Sequence, residues 1–197
     1  MFRGVKERHI RVGDGLVDPD TVIVRGGLPG PRGLRAEAQN HYGVYGSFSV
    51  SVFAARGVPL EEVARSLPLV CFEHLTLWTA GDMRKAGLVL EPVGRDPRHY
   101  LVKLTEGALG VRGLWGCEHR SWTNPPRPVA STIDLPADLN TQDDDGLGWT
   151  TATFALDPQR VKVGEQLIAG DRNAQAAVRI EAVDPDGQVH FTILPDR

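Results

Sequence analysis

The sequence predicts an α+β fold in two parts, an N-terminal α+β domain followed by a small β-rich, barrel-like domain. Three observations carry this expectation. Strand-like and helix-like segments alternate up to about residue 115, a proline cluster interrupts the chain near residue 124, and beyond it short strands alternate with turns. The boundaries fall at 1–123 for the first domain, 124–129 for a proline-rich linker and 130–197 for the second.

The elements follow in order. "DTVIVRGG" (residues 20–27) has a β-branched run closed by two glycines, the pattern of a strand ending in a turn. "LPGPRG" breaks the chain, and "LRAEAQNHY" (residues 34–42) is expected as a helix. "GSFSVSVFAA" alternates cleanly: Phe48, Val50, Val52 and Ala54 share one face, while Ser47, Ser49 and Ser51 share the other. The apolar face should meet the core and the serine face should look onto a cleft or water. In "VPLEEVARSL", Pro59 opens a helix whose first turn carries Glu61 and Glu62, where acidic groups suit the helix dipole. "LVCFEHLTLWTA" reads as a strand and "AGDMRKAGL" as a short helix; "LVLEPV" and "HYLVKL" add extended segments. "NPPRP" has three prolines in five residues and can neither continue a helix nor occupy a central strand. After it, "VKVGEQLIAGD", "QAAVRIEAV" and "QVHFTIL" are strands, the last two joined by the turn "DPDG".

Composition limits the function classes. A net charge of −3 and a pI near 6.1 exclude a chain-wide nucleic-acid footprint. No apolar run reaches the ~18–20 residues of a membrane span, and the N-terminus has no apolar h-region, so a cytoplasmic location is expected. Cys71 and Cys117 do not make a disulfide framework. The excess of arginine over four lysines suggests a GC-rich bacterial genome.

The acidic stretch "DLNTQDDDGLGW" (residues 138–149) invites a calcium-loop interpretation. Placing Gly146 at loop position 6 puts Asp143 and Asp145 at ligand positions, but Thr141 falls at position 1 and Ala152 at position 12. A hard cation lacks its end carboxylates there. What fits better is a contact surface, with Leu139, Leu147 and Trp149 as apolar anchors ringed by Asp143, Asp144 and Asp145. Cys71, His74, Cys117 and His119 are zinc-ligand types, yet residues 71 and 74 point to opposite faces of a strand, so no metal site is expected.

"VIVRG" on a first strand, "FSVS" on a second and a later glutamate resemble the Arg–Ser–Glu order of ADP-ribosyltransferases. The resemblance implies Arg25 as a clamp on the phosphates of NAD, Ser49 near the nicotinamide ribose, and Glu118 (with Glu106 as its substitute) facing the oxocarbenium-like transition state. Strand alternation alone also explains these residues, with Arg25 ending a strand and the serines forming an outward face.

A second resemblance concerns organisation. "TVIVRGG…HYGVYGSFSVSVFAA…DMRKAGLVLEP…PRHYLV" and "DLPADLNTQDDDGLGWTTATFALDP…VKVGEQLIAGD…VHFTILP" are similar to two small uncharacterised actinobacterial proteins, here fused end to end. Such a pairing implies a toxin–antitoxin-like or mobile-element protein. Its acidic C-terminal part would then present a protein-interaction surface, within the chain or toward another protein. The competing expectations are an NAD-dependent ADP-ribosyltransferase-like enzyme and a non-catalytic structural or accessory protein.

Overall fold

The computed structural model describes residues 17–28, 30–104, 110–124, 132–172 and 174–195. Glu106 and most of the expected linker lie outside them. The chain forms an α+β fold built on two sheets.

The first sheet has six strands in the order β4-β5-β2-β1-β3-β6, and every neighbouring pair is antiparallel. β1 (Val22–Gly26) leads into α1 (Pro31–Tyr45), which returns the chain to β2 (Ser49–Ala54). α1 starts three residues before its expected N-terminus. Pro31 sits in its first turn, where a missing N–H and a fixed φ are no handicap. Gly46, at φ 69°, ends it in a left-handed cap. After α2 (Leu60–Ala64), the predicted strand "LVCFEHLTLWTA" divides into a 3₁₀ turn at Leu69–Cys71 and β3 (His74–Thr79). Thr79 then caps α3 (Ala80–Lys85) by accepting from the Asp82 amide at 3.0 Å. β4 (Val89–Pro92) and β5 (His99–Lys103) complete one edge. α4 (Val111–Gly116) and β6 (Arg120–Thr123), which periodicity did not reveal, complete the other.

The second sheet is β7-β9-β10-β11-β8, made of β7 (Leu135–Pro136), β8 (Gly148–Thr151), β9 (Gln166–Gly170), β10 (Gln175–Val183) and β11 (Gln188–Ile193). It is barrel-like: its two outer strands approach closely enough for the Thr150 hydroxyl to donate to the Pro136 carbonyl at 2.8 Å. The "DPDG" turn forms as expected, with Gly187 at φ 86° donating to the Asp184 carbonyl.

Each face of the first sheet is covered. Ile23, Val50, Val52, Trp78, Tyr100 and Val102 pack under the helices with Leu34, Ala38, Met83 and Leu114. On the opposite face, Val24, Phe53, Leu75 and Leu77 share one apolar cluster with Leu135, Leu139, Val178, Ile180 and Phe191 of the second sheet. A β-bridge between Phe72 and Ala174 joins the two parts through the backbone. This second covering corrects one expectation. Ser49 and Ser51 do not face a cleft or water; both are fully buried, because the second sheet and its loops lie over the face they occupy. Among the described residues, no helix is long and apolar enough to cross a membrane.

Candidate functional site

β1 and β2 pair only at Ile23 with Ala54 and Val24 with Phe53, and then part. Beyond that point, side chains replace the missing ladder. Glu37 Oε1 accepts from the Ser51 amide at 2.8 Å, and Arg25 Nη1 donates to the Ser51 carbonyl at 3.0 Å. Backbone groups buried without partners would each cost about 1–3 kcal/mol. The two side chains thus serve as a surrogate strand edge. They also touch each other directly, with Arg25 Nη2 2.8 Å from Glu37 Oε2.

The acidic loop enters the same gap from the second part. Asp138 Oδ2 lies 2.6 Å from Arg25 Nη2, so one guanidinium nitrogen serves two carboxylates. Two residues on, the Asn140 carboxamide pairs with Gly26 as a peptide group would. Its Oδ1 accepts from the Gly26 amide at 2.7 Å and its Nδ2 donates to the Gly26 carbonyl at 3.3 Å. Asp138 Oδ1 in turn accepts from the Asn140 amide and carboxamide. Between them, Leu139 enters the shared apolar core.

Electrostatics divide the two carboxylates. Burial pushes the Glu37 carboxyl up to about 8; the attraction of Arg25 opposes this, while the negative charge of Asp138 adds to it. Burial also disfavours the Asp138 anion, but Arg25 and the hydrogen bonds from Asn140 outweigh it and hold this carboxyl below its ordinary value. For Arg25, burial favours loss of the proton and the two carboxylates more than reverse that. At neutral pH the cluster is an arginine–aspartate ion pair with a protonated Glu37 beside it.

His41 lies one helical turn beyond Glu37 and also reaches this region, with Nδ1 3.0 Å from Ser49 Oγ. Next to it, His99 Nε2 is 3.3 Å from Ser51 Oγ. Trp149 closes the top, its ring 6.0 Å from that of His41 and 6.1 Å from that of Tyr45. No protein-family model matches the chain, no curated protein matches it, and no solved structure matches it.

The residues expected from sequence are only partly gathered here. Arg25 and Ser49 are both in the cluster, engaged by Asp138 and His41 respectively. Glu118 is not. It is exposed in the connection between α4 and β6, close enough to Lys85 to influence it, and β3 separates its strand from β1. Of the expected interaction residues, Leu139 is buried in the core and Trp149 against His41, so both anchors are occupied within the chain. Asp143 accepts from the amides of Asp145 and Leu147, and its Oδ2 lies 2.6 Å from His190 Nδ1. Asp145 pairs with Arg95 of the first part at 2.9 Å. Asp144 and Leu147 are half-buried. Cys71 and Cys117 are both buried, and His119 bonds the Cys117 carbonyl; among the described residues, no group of three or more potential metal ligands assembles.

Glu37, Asp138 and Asn140 were missed as site residues. The i, i+4 spacing of Glu37 and His41 on a helix was a usable signal, since it places both on one face. Nothing local could show that residue 138 meets residue 25.

Proposed function

We propose that this is a toxin–antitoxin-like two-part protein whose acidic C-terminal part is an interaction surface directed at its own N-terminal part. The observation that carries this reading is the Asp138 carboxylate on the buried Arg25 guanidinium. Charge supports it. Residues 1–131 hold 17 Lys and Arg against 13 Asp and Glu, whereas residues 132–197 hold 5 against 12, so the parts carry net charges of +4 and −7. In this reading the acidic part covers the cluster around Arg25, His41 and Ser49 and neutralises whatever that cluster does. The ADP-ribosyltransferase-like alternative is supported less. It needs Arg25 free for the phosphates of NAD and the late glutamate of the Arg–Ser–Glu order near it, but Arg25 is held by Asp138 and Glu37, and Glu118 lies elsewhere.

Co-expression tests the proposal. Residues 1–124 would be produced alone and together with residues 130–197 as a separate polypeptide. The fragment ends at Asn124 because its carboxamide donates to the Leu69 and Phe72 carbonyls. The pair should co-purify, more weakly at high salt, and the second piece should relieve a growth defect caused by the first. A folded, soluble 1–124 fragment that leaves growth untouched would sink the neutralisation reading.

A further inference from the structure

The gap between β1 and β2 holds buried polar groups beyond Arg25 and Glu37, the two that satisfy its unpaired strand edge. Arg25, Glu37, His41, Ser49, Ser51 and His99 are each at most 5% exposed. Polar groups buried this densely depart from the apolar pattern of the surrounding sheet, and such departures mark functional sites more often than scaffolds. One pair has the arrangement of a nucleophile and its base. Ser49 Oγ and His41 Nδ1 are 3.0 Å apart, within reach of direct proton transfer. An anion anchor lies alongside, since Arg25 is bonded to the Ser51 carbonyl two residues along β2 and carries the Asp138 carboxylate. Glu37 and His41 come from successive turns of α1, so one helix orients both the anchor and the base. The groups lying over them, Trp149 and Asp138, both belong to the second part. Two buried donors, Trp149 Nε1 in this cover and Arg25 Nε beneath it, have no acceptor among the described residues.

We propose that the gap is a covered nucleophilic site for a carboxylate-bearing ester, with Ser49 as the attacking group, His41 as its base and Arg25 as the anchor of the substrate carboxylate. Asp138 occupies the place of that carboxylate. The proposal rests on the reading that the second part covers the first, and it names the chemistry that is covered. In the first step, Ser49 Oγ bonds to the acyl carbon while its proton passes to His41. The bond to the leaving alcohol breaks, and the alcohol takes that proton. Water from solvent then adds to the acyl-serine, giving a proton to His41. The Ser49–acyl bond breaks, the proton returns to Ser49, and the free acid departs.

The test uses the full chain with the cover loosened in two independent ways: cleavage at a protease site engineered between residues 125 and 131, and Trp149→Ala in the uncut chain. Hydrogen exchange across residues 37–51 reports whether the cover lifts. Release of p-nitrophenol from p-nitrophenyl hemisuccinate and from the neutral p-nitrophenyl butyrate reports the chemistry, and peptide mapping of a fluorophosphonate adduct reports the nucleophile. The expected result is faster exchange, an adduct on Ser49, and hydrolysis that favours the hemisuccinate and falls about 100-fold or more in Ser49→Ala. The adduct is mapped on the unsubstituted Ser49, so the conclusion survives if the alanine variant does not fold. Faster exchange with no adduct on Ser49 overturns the nucleophile and leaves the covering reading standing. Unchanged exchange in both loosened forms, each folded by circular dichroism, overturns the covering reading and the proposal with it.

Discussion

Replacing Asp138 with asparagine should cost more stability at pH 6 than at pH 9. Asparagine keeps an acceptor for the Asn140 amide but removes the charge that lies 2.6 Å from Arg25 Nη2. Breaking a buried ion pair costs about 3–5 kcal/mol. The Asp138 side chain is 34% exposed, so solvent screening lowers the expected loss to about 2 kcal/mol. Glu37 then decides the pH dependence. Its carboxyl is pushed up to about 8, so at pH 6 it is protonated and must ionise to take over the cation. Two pH units of that penalty are worth about 2.7 kcal/mol, an upper limit because removing Asp138 itself eases Glu37 ionisation. At pH 9 Glu37 is already ionised, and the substitution also relieves the repulsion of two carboxylates around one nitrogen. Urea denaturation of both proteins at the two pH values measures the difference, with equal m-values as the check that only stability has changed. An equal loss at both pH values, or a larger one at pH 9, would refute the shared-arginine account.

Glu37→Gln imitates the protonated acid and should change stability by less than about 1 kcal/mol at pH 7. The sign is set by the raised carboxyl. The native state holds this proton more tightly than the unfolded chain, so wild-type stability falls as pH rises from the ordinary glutamate range through about 8. The glutamine variant should lose that slope in denaturation curves between pH 5 and pH 9, and retention of the full slope would move its origin elsewhere. Asn140→Ala removes both bonds to Gly26 and strands buried backbone groups, for a loss of about 2–3 kcal/mol by urea titration. Gly148→Ala would drive its Cβ into the Phe191 ring in the core, costing about 1–3 kcal/mol. Adding Phe191→Leu to that variant should return part of the loss, and strictly additive thermal shifts would show that the ring is not the obstacle.

Particular residues show how far local pattern reaches. β1, β2, β4, β5, β9, β10 and β11 were legible from alternation and turn residues, because both act within a few positions. α4 and β6 were not, since six and four residues are too few to display a period. α1 was placed too short, because a proline reads as a breaker until its N–H is known to be unneeded. Ser49 and Ser51 were assigned to an outer face by a rule that holds for a sheet covered on one side only. Arg25 and Ser49, singled out by the Arg–Ser–Glu order, both reach the cluster, while Glu118, taken from the same order, belongs to a different edge.

The sequence by itself determined the α+β class and the change to a strand-rich texture after the prolines, and it marked out the acidic stretch without its contacts. Class and texture follow from propensity and periodicity, which are properties of neighbouring residues. Tertiary structure alone decided what that stretch does. Asp138 and Asn140 fill the place where β1 and β2 part, 113 and 114 positions from Arg25 and Gly26. Their value lies in satisfying a buried charge and an unpaired backbone edge, and those needs arise only when two sheets close over the same core.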